Sequence, residues 1–135
     1  MKLIWLMLAG ALGAAARYGL TTLIQSWLHT RGSSFPLSTL LINVSGALLL
    51  SFLATLIIQK AMRPEFGIIL GTGFLGAFTT FSTFELESEK LLSSRAWLPA
   101  AAYILGNLIL GFAAIFIGRA IALRLLGPGA VGSTA

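Results

Sequence analysis

The fold is decided by residues 71–84, which read GTGFLGAFTTFSTF and lie inside a long apolar segment. Three glycines open the stretch, and each costs a helix interior about 1 kcal/mol relative to alanine. Hydroxyl and aromatic side chains then take the place of leucine up to Phe84. The pattern predicts a membrane helix broken near Gly76 to Thr79, because irregular backbone at membrane depth must be buried in protein or line a wet cavity. Broken helices are typical of ion and substrate sites near the membrane midplane. The other reading is a continuous helix whose small residues pack closely against a neighbour.

The composition places this stretch in an integral membrane protein. The chain has 135 residues, of which 57% are hydrophobic and 10% are charged, whereas soluble domains carry about 25% charged residues. About 20 apolar residues span a bilayer, so we predict an all-α protein with four transmembrane helices. The predicted spans cover 3–28, 36–59, 66–92 and 97–123. They form one domain over 1–126, and 127–135 is a flexible tail.

The charges and the missing residue types exclude several functions. The net charge of +5 comes from basic residues at predicted helix ends, where they anchor to lipid headgroups, so we expect a lipid bilayer and no nucleic acid as a partner. The chain has no cysteine, which excludes disulfides and thiolate metal sites. No catalytic triad, nucleotide-binding glycine motif or metal-ligand cluster occurs, so we do not expect an enzyme.

The basic residues bias the predicted topology only weakly. One side of the four-span bundle carries Lys2, Lys60, Arg63, Arg119 and Arg124, and the other carries Arg31, Lys90 and Arg95. Such a small positive-inside difference is compatible with insertion in both orientations. It is also compatible with a single orientation that keeps both termini in the cytoplasm.

Three polar residues inside the spans are candidate site residues. Arg17 follows a face of small residues in span one, and an intramembrane arginine normally faces the bundle or a water-filled cavity. We interpret it as a vestibule charge that attracts anions; the other reading is an arginine that snorkels to the interface. Asn43 in span two and Asn107 in span four are the two buried amides. Asn43 serves either an ion path or an interhelical hydrogen bond that only holds the bundle together.

Two aromatic residues follow the predicted break on one helix face. Phe81 and Phe84 are three residues apart, and the hydroxyls of Thr80 and Thr83 lie one step round the same helix. A phenylalanine pair is ordinary core in most proteins. This pair is surrounded by hydroxyls just after a break, which favours a lining role.

Three motifs carry a resemblance to a known family. They are residues 10–18 (GALGAAARY), 41–46 (LINVSG) and 73–84 (GFLGAFTTFSTF). In sequence, order and spacing they resemble the Fluc family of fluoride channels, also called crcB-like, over almost the whole chain. The resemblance implies an antiparallel, dual-topology homodimer with two pores to which both subunits contribute, and a third helix broken in the middle of the membrane.

The resemblance also implies roles for individual residues. The phenylalanine pair, Asn43, the hydroxyls after the break and a fourth-helix tyrosine match the family's fluoride path, and the residue pattern adds two polar neighbours. The predicted path is Asn43, Phe81, Phe84, Ser82, Thr83, Thr80, Tyr103 and Asn107. Relatives often carry hydroxyls further along the fourth-helix stripe, where this chain has Asn107, Gly111 and Ile115, so the contribution of span four to the polar path is open.

A structural sodium ion at the dimer centre is the second implication, held by the backbone carbonyls of Gly76 and Thr79. Carbonyls freed by a break need a partner, since an unsatisfied group in hydrocarbon costs several kcal/mol. Half-helix ends are known Na⁺ ligands, and a twofold axis through the break would bring together two carbonyls from each chain. A water cluster or a side-chain hydroxyl is the other solution.

The sequence therefore predicts a passive, fluoride-selective channel that exports fluoride and lowers its cytoplasmic level, as a multi-pass protein of the bacterial inner (plasma) membrane. One alternative is a small dual-topology multidrug transporter. That class needs a carboxylate in span one, and span one has none. The second alternative is a non-transporting membrane scaffold subunit, which leaves the hydroxyl and aromatic run unexplained.

Overall fold

The chain is an all-α, multi-pass membrane protein. A computed structural model describes residues 1–30 and 35–127. Within them, four helices are long and apolar enough to cross a membrane: Lys2–His29, Leu37–Ile58, Pro64–Ser93 and Trp97–Leu126. This confirms the prediction of four spans, with bounds that differ from the expected ones by up to three residues. Arg31 and all of the predicted tail except Gly127 lie outside the described residues.

The third span is divided, whereas the other three spans are single helices. In chain order the elements are α1 (Lys2–His29), α2 (Leu37–Ile58), α3 (Pro64–Phe66), a π-helical segment (Gly67–Leu75), α4 (Gly76–Phe78), α5 (Phe81–Ser93) and α6 (Trp97–Leu126). The π-helical segment was not predicted. Its wider turn coincides with the first glycines of residues 71–84, and π-helical turns recur at functional sites.

The interruption of the third span lies at Thr79 and Thr80, which separate α4 from α5. Thr79 (φ −80°, ψ 159°) and Thr80 (φ −150°, ψ 112°) are both extended. Gly76 keeps helical angles (φ −63°, ψ −34°), so the break falls at the C-terminal edge of the predicted window. Threonine suits this position because its branched side chain favours extended backbone. The Thr80 hydroxyl also caps α5 by accepting a hydrogen bond from the Thr83 N–H at 3.3 Å.

Two packing contacts position the interruption. α1 packs mainly on the π-helical segment, and α2 packs mainly on α6. At the first contact a Cβ on Gly13 would lie 2.2 Å from the Phe74 carbonyl oxygen, so only glycine allows this approach. A small buried apolar cluster then fills the space between α2 and the first half of the third span. Its members are Ile42, Leu53, Leu75 and Phe78.

Candidate functional site

Asn43 on α2 holds the interruption of the third span. Its Oδ1 accepts a hydrogen bond from the Thr80 N–H at 3.0 Å, and its Nδ2 donates to the Thr80 carbonyl at 3.2 Å. The same Nδ2 donates to Oδ1 of Asn107 at 3.2 Å. Asn107 in turn donates to the Tyr103 carbonyl at 3.0 Å. The structure thus brings the two predicted buried amides together and ties α2, the interruption and α6 into one network.

The predicted aromatic pair lies beside this network and lines a cavity of about 330 Å³, which we call the aromatic cavity. Its lining includes Asn43, Thr80, Phe81, Phe84 and Asn107. Gly111 and Ile115 of the α6 stripe also line it, so this stripe offers an amide followed by apolar surface. The two phenylalanine rings have centroids 5.8 Å apart, and Phe81 is 69% exposed in the single chain.

A second, more polar cavity of about 260 Å³ lies on the α1 side of the interruption. We call it the polar cavity. Its polar lining comprises Arg17, Tyr18, Thr21, Gln25, Thr39, Thr80, Thr83 and Glu87. Arg17 is half-buried at the wall of this cavity, which the carboxylate of Glu87 also lines. Thr80 lines both cavities, so the interruption forms the wall between them.

Tyr103 and Ser82 are the two predicted path residues that line neither cavity. Tyr103 is fully buried (0% exposed), its ring is 5.5 Å from that of Phe84, and its hydroxyl donates to Oε2 of Glu87 at 2.6 Å. Ser82 is exposed on α5 and lines neither the aromatic nor the polar cavity. In the single chain it faces outward from the bundle.

The two carbonyls predicted to hold sodium have lost their helical donors. In a continuous α-helix the Thr80 N–H would bond the Gly76 carbonyl, and the Thr83 N–H would bond the Thr79 carbonyl. Here the Thr80 N–H donates to Asn43 and the Thr83 N–H donates to the Thr80 hydroxyl. The interruption therefore presents carbonyl oxygens, the ligand type that suits a hard monovalent cation. The described residues hold no group of three or more His, Cys, Asp or Glu side chains arranged for a metal.

Sequence reasoning overlooked several residues of the site. Thr21 and Gln25 line the polar cavity and follow the predicted Arg17 at four-residue intervals on one face of α1, so spacing alone could have identified them. Glu87 lies on the face of Thr83 and Phe84, but its bond to Tyr103 depends on how α5 packs on α6. Gly46 is a further residue of this kind: a Cβ there would lie 2.2 Å from the Thr79 methyl carbon, so its lack of a side chain lets α2 approach the interruption.

Comparison with known proteins places the chain in a family. The profile of the CrcB-like protein family, Camphor Resistance (CrcB), matches residues 4–119. A protein of Nitratidesulfovibrio vulgaris named "Fluoride-specific ion channel FluC" is 44% identical over 118 residues, which are 87% of this chain and 93% of that protein. A protein of Symbiobacterium thermophilum named "Fluoride-specific ion channel FluC 2" is 44% identical over 116 residues, 85% of this chain and 92% of the relative. A Helicobacter pylori protein, also named "Fluoride-specific ion channel FluC", is 37% identical over 92% of this chain and 95% of its own length. The chain belongs to the CrcB-like protein family.

Proposed function

We propose that this chain is a passive, fluoride-selective channel and not an enzyme. It lies in the plasma membrane of a bacterium, where it exports fluoride and so lowers the cytoplasmic fluoride concentration. The observation that carries the proposal is the interruption at Thr80, which separates a polar cavity with a permanent positive charge from an aromatic cavity with amide donors. The names of the relatives support fluoride as the ion.

The residues of the two cavities suit a small anion. Arg17 raises the local concentration of anions at the polar cavity. The Thr83 hydroxyl at the polar cavity and the Asn107 amide at the aromatic cavity replace the water of fluoride one hydrogen bond at a time. The Thr80 hydroxyl supports the first of these groups by donating to the Thr83 oxygen at 2.9 Å. The positive edges of the Phe81 and Phe84 rings add a weak attraction beyond them. A narrow lining of neutral donors disfavours larger anions sterically.

We propose that two copies of the chain assemble as an antiparallel, dual-topology homodimer, with the aromatic cavity at the interface. Phe81 is largely exposed in the single chain. Thr72, Gly76 and Ser82 are also exposed, on the same span. Hydroxyls and irregular backbone at membrane depth are stable against protein or water rather than lipid tails. A second copy covers this face and completes the path, which also gives Ser82 a lining role.

A sodium ion at the dimer centre is part of the proposal, with the carbonyls of Gly76 and Thr79 from both chains as its ligands. The loss of both helical donors to these carbonyls supports it. The ion would neutralise the partial negative charge of the carbonyls and hold the two interruptions together. We expect the detergent-solubilised dimer to dissociate at lower temperature, and fluoride flux to fall, when sodium is replaced by a bulky organic cation. Unchanged dimer stability without sodium would contradict this site.

Fluoride efflux from liposomes tests the function directly. Purified protein is reconstituted into vesicles loaded with potassium fluoride or potassium chloride. A potassium ionophore is added so that potassium efflux balances the charge of the departing anion, and anion efflux is followed with ion-selective electrodes. We expect rapid fluoride efflux and little chloride efflux, with no dependence on a proton gradient. Equal passage of the two anions, or passage of neither, would refute a fluoride-selective channel.

A further inference from the structure

The first half of the third span contacts α1 backbone to backbone, at Gly13. Gly13 is buried, and a Cβ in its place would lie 2.2 Å from the Phe74 carbonyl oxygen and 3.1 Å from the Phe74 Cα. The Phe74 backbone therefore occupies the volume that any other side chain at position 13 would need. Gly10 is less constrained, because a Cβ there would lie 3.8 Å from the Gly73 oxygen, which is ordinary van der Waals contact.

This contact lies at the end of the π-helical segment. The segment covers nine residues, Gly67–Leu75, whereas π-helical turns are mostly single-turn insertions in α-helices. Such a rare conformation needs support from outside the helix. α1 supplies that support, because it packs on this segment more extensively than on any other element. A Cβ added to Gly73 of the segment would in turn lie 3.0 Å from the Ala9 Cβ.

The backbone at Phe74 is coupled directly to the interruption. The carbonyl of the next residue, Leu75, accepts two hydrogen bonds from Thr79, one from its N–H and one from its hydroxyl, both at 3.0 Å. The rings of Phe74 and Phe78 stack with centroids 5.9 Å apart. α2 already contacts the Thr79 methyl carbon through Gly46. A displacement of Phe74 is therefore passed on to Thr79, and α2 leaves little space to absorb it.

We propose that Gly13 is a positioning residue whose contact with Phe74 sets where the Gly76 and Thr79 carbonyls lie, and so sets the sodium affinity of the dimer centre. The inference rests on the proposed sodium ion, and it gives α1 a role in a site to which α1 contributes no ligand. Ligand groups must be held within about 0.5 Å of their productive geometry. A methyl group on Gly13 would need about 1.2 Å of displacement to extend the 2.2 Å separation to the 3.4 Å of ordinary contact, which exceeds that tolerance.

Sodium titration of Gly13→Ala tests the proposal. Purified protein in detergent is titrated with sodium chloride against N-methylglucamine chloride at constant ionic strength, and the sodium concentration at half-maximal stabilisation of the dimer is measured. Because overpacking is relieved by a backbone shift, this midpoint should rise at least about tenfold in Gly13→Ala, and excess sodium should restore the dimer. The matched control is Gly10→Ala, one turn earlier on the same face, which should change the midpoint less than about twofold.

A second readout does not depend on sodium. The Thr80 N–H donates to Oδ1 of Asn43 at 3.0 Å, and a displaced interruption weakens this hydrogen bond. The hydrogen-exchange rate of the Thr80 N–H, measured by NMR, should therefore rise about three- to tenfold in Gly13→Ala. Gly10→Ala should leave this rate unchanged.

A merely structural role for Gly13 predicts different results. Gly13→Ala would then lower the unfolding temperature equally at every sodium concentration, with the sodium midpoint and the Thr80 exchange rate unchanged, and this outcome would overturn the proposal. Equal effects of Gly10→Ala and Gly13→Ala would overturn it as well, because the close contact with Phe74 would then not matter.

Two further arms keep the test decisive. If Gly13→Ala does not fold, Gly73→Ala crowds the same contact from the other side and should change both readouts in the same direction. Ala9→Gly should partly reverse that effect, since the Leu6 carbonyl oxygen remains 3.1 Å from the added Cβ; unchanged readouts in Gly73→Ala would refute the proposal. If the unmodified protein does not respond to sodium, the proposed sodium ion fails, liposome efflux still tests the channel, and the Thr80 exchange rate alone decides whether Gly13 positions the interruption.

Discussion

Substitution of Gly46 by alanine should disturb the interruption without changing any polar group of the site. The added Cβ would lie 2.2 Å from Cγ2 of Thr79, about 1.2 Å short of the 3.4 Å at which ordinary van der Waals contact begins. Thr79 cannot simply rotate its methyl away, because its hydroxyl donates to the Leu75 carbonyl at 3.0 Å. Either that bond breaks or α2 moves away from the interruption.

Both responses cost free energy of similar size. Loss of the hydroxyl bond costs about 1 kcal/mol, and overpacking with a backbone shift costs about 1–3 kcal/mol. We therefore expect Gly46→Ala to lower the free energy of unfolding by about 1–2 kcal/mol. Fluoride flux should fall as well, because Asn43 lies one helical turn before Gly46 and moves with it.

The second substitution Thr79→Ser should rescue the first. Serine lacks the clashing methyl but keeps the hydroxyl that donates to Leu75. The assay measures thermal unfolding in detergent and fluoride efflux from liposomes for each single variant and for the pair. The control is Gly19→Ala on α1, where an added Cβ meets nothing within 4 Å. The reasoning is wrong if Gly46→Ala behaves like Gly19→Ala, or if the double variant is as impaired as Gly46→Ala alone.

Three further predictions follow from the site. Phe81→Ile or Phe84→Ile keeps the bulk of the side chain but removes the ring edge, so fluoride flux should fall strongly while size-exclusion chromatography still shows a dimer. Unchanged flux would show that the rings are ordinary core residues and do not line the path. Tyr103→Phe removes the hydroxyl that donates to Glu87 and should destabilise the protein by about 1–3 kcal/mol, since a buried bond to a charged group is lost; an unaltered unfolding temperature would count against it. A tag after Ala135 should be accessible from both sides of sealed cells if the dimer is antiparallel, and labelling from one side alone would exclude dual topology.

The sequence alone was sufficient for the class of the protein and for the approximate position of the interruption in its third span. Four spans follow from the number and length of the apolar runs, because the thickness of the bilayer fixes how many apolar residues a helix needs to cross it. The interruption was predictable to within a few residues because glycines followed by threonines disfavour a continuous helix regardless of the rest of the chain. Both are local properties of the chain, and the family motifs at residues 10–18, 41–46 and 73–84 agree with them.

The partners of the polar side chains were decided by the tertiary structure. Asn43 bonds to residues 37 and 64 positions away in sequence, and Tyr103 bonds to Glu87 across 16 positions. These pairings depend on the rotation and depth at which α2, α5 and α6 pack, which helical periodicity does not specify. The same reason explains why the sequence left Asn43 open between an ion path and a structural bond. Its amide is satisfied by a backbone group that becomes available because the third span stops being helical at Thr79.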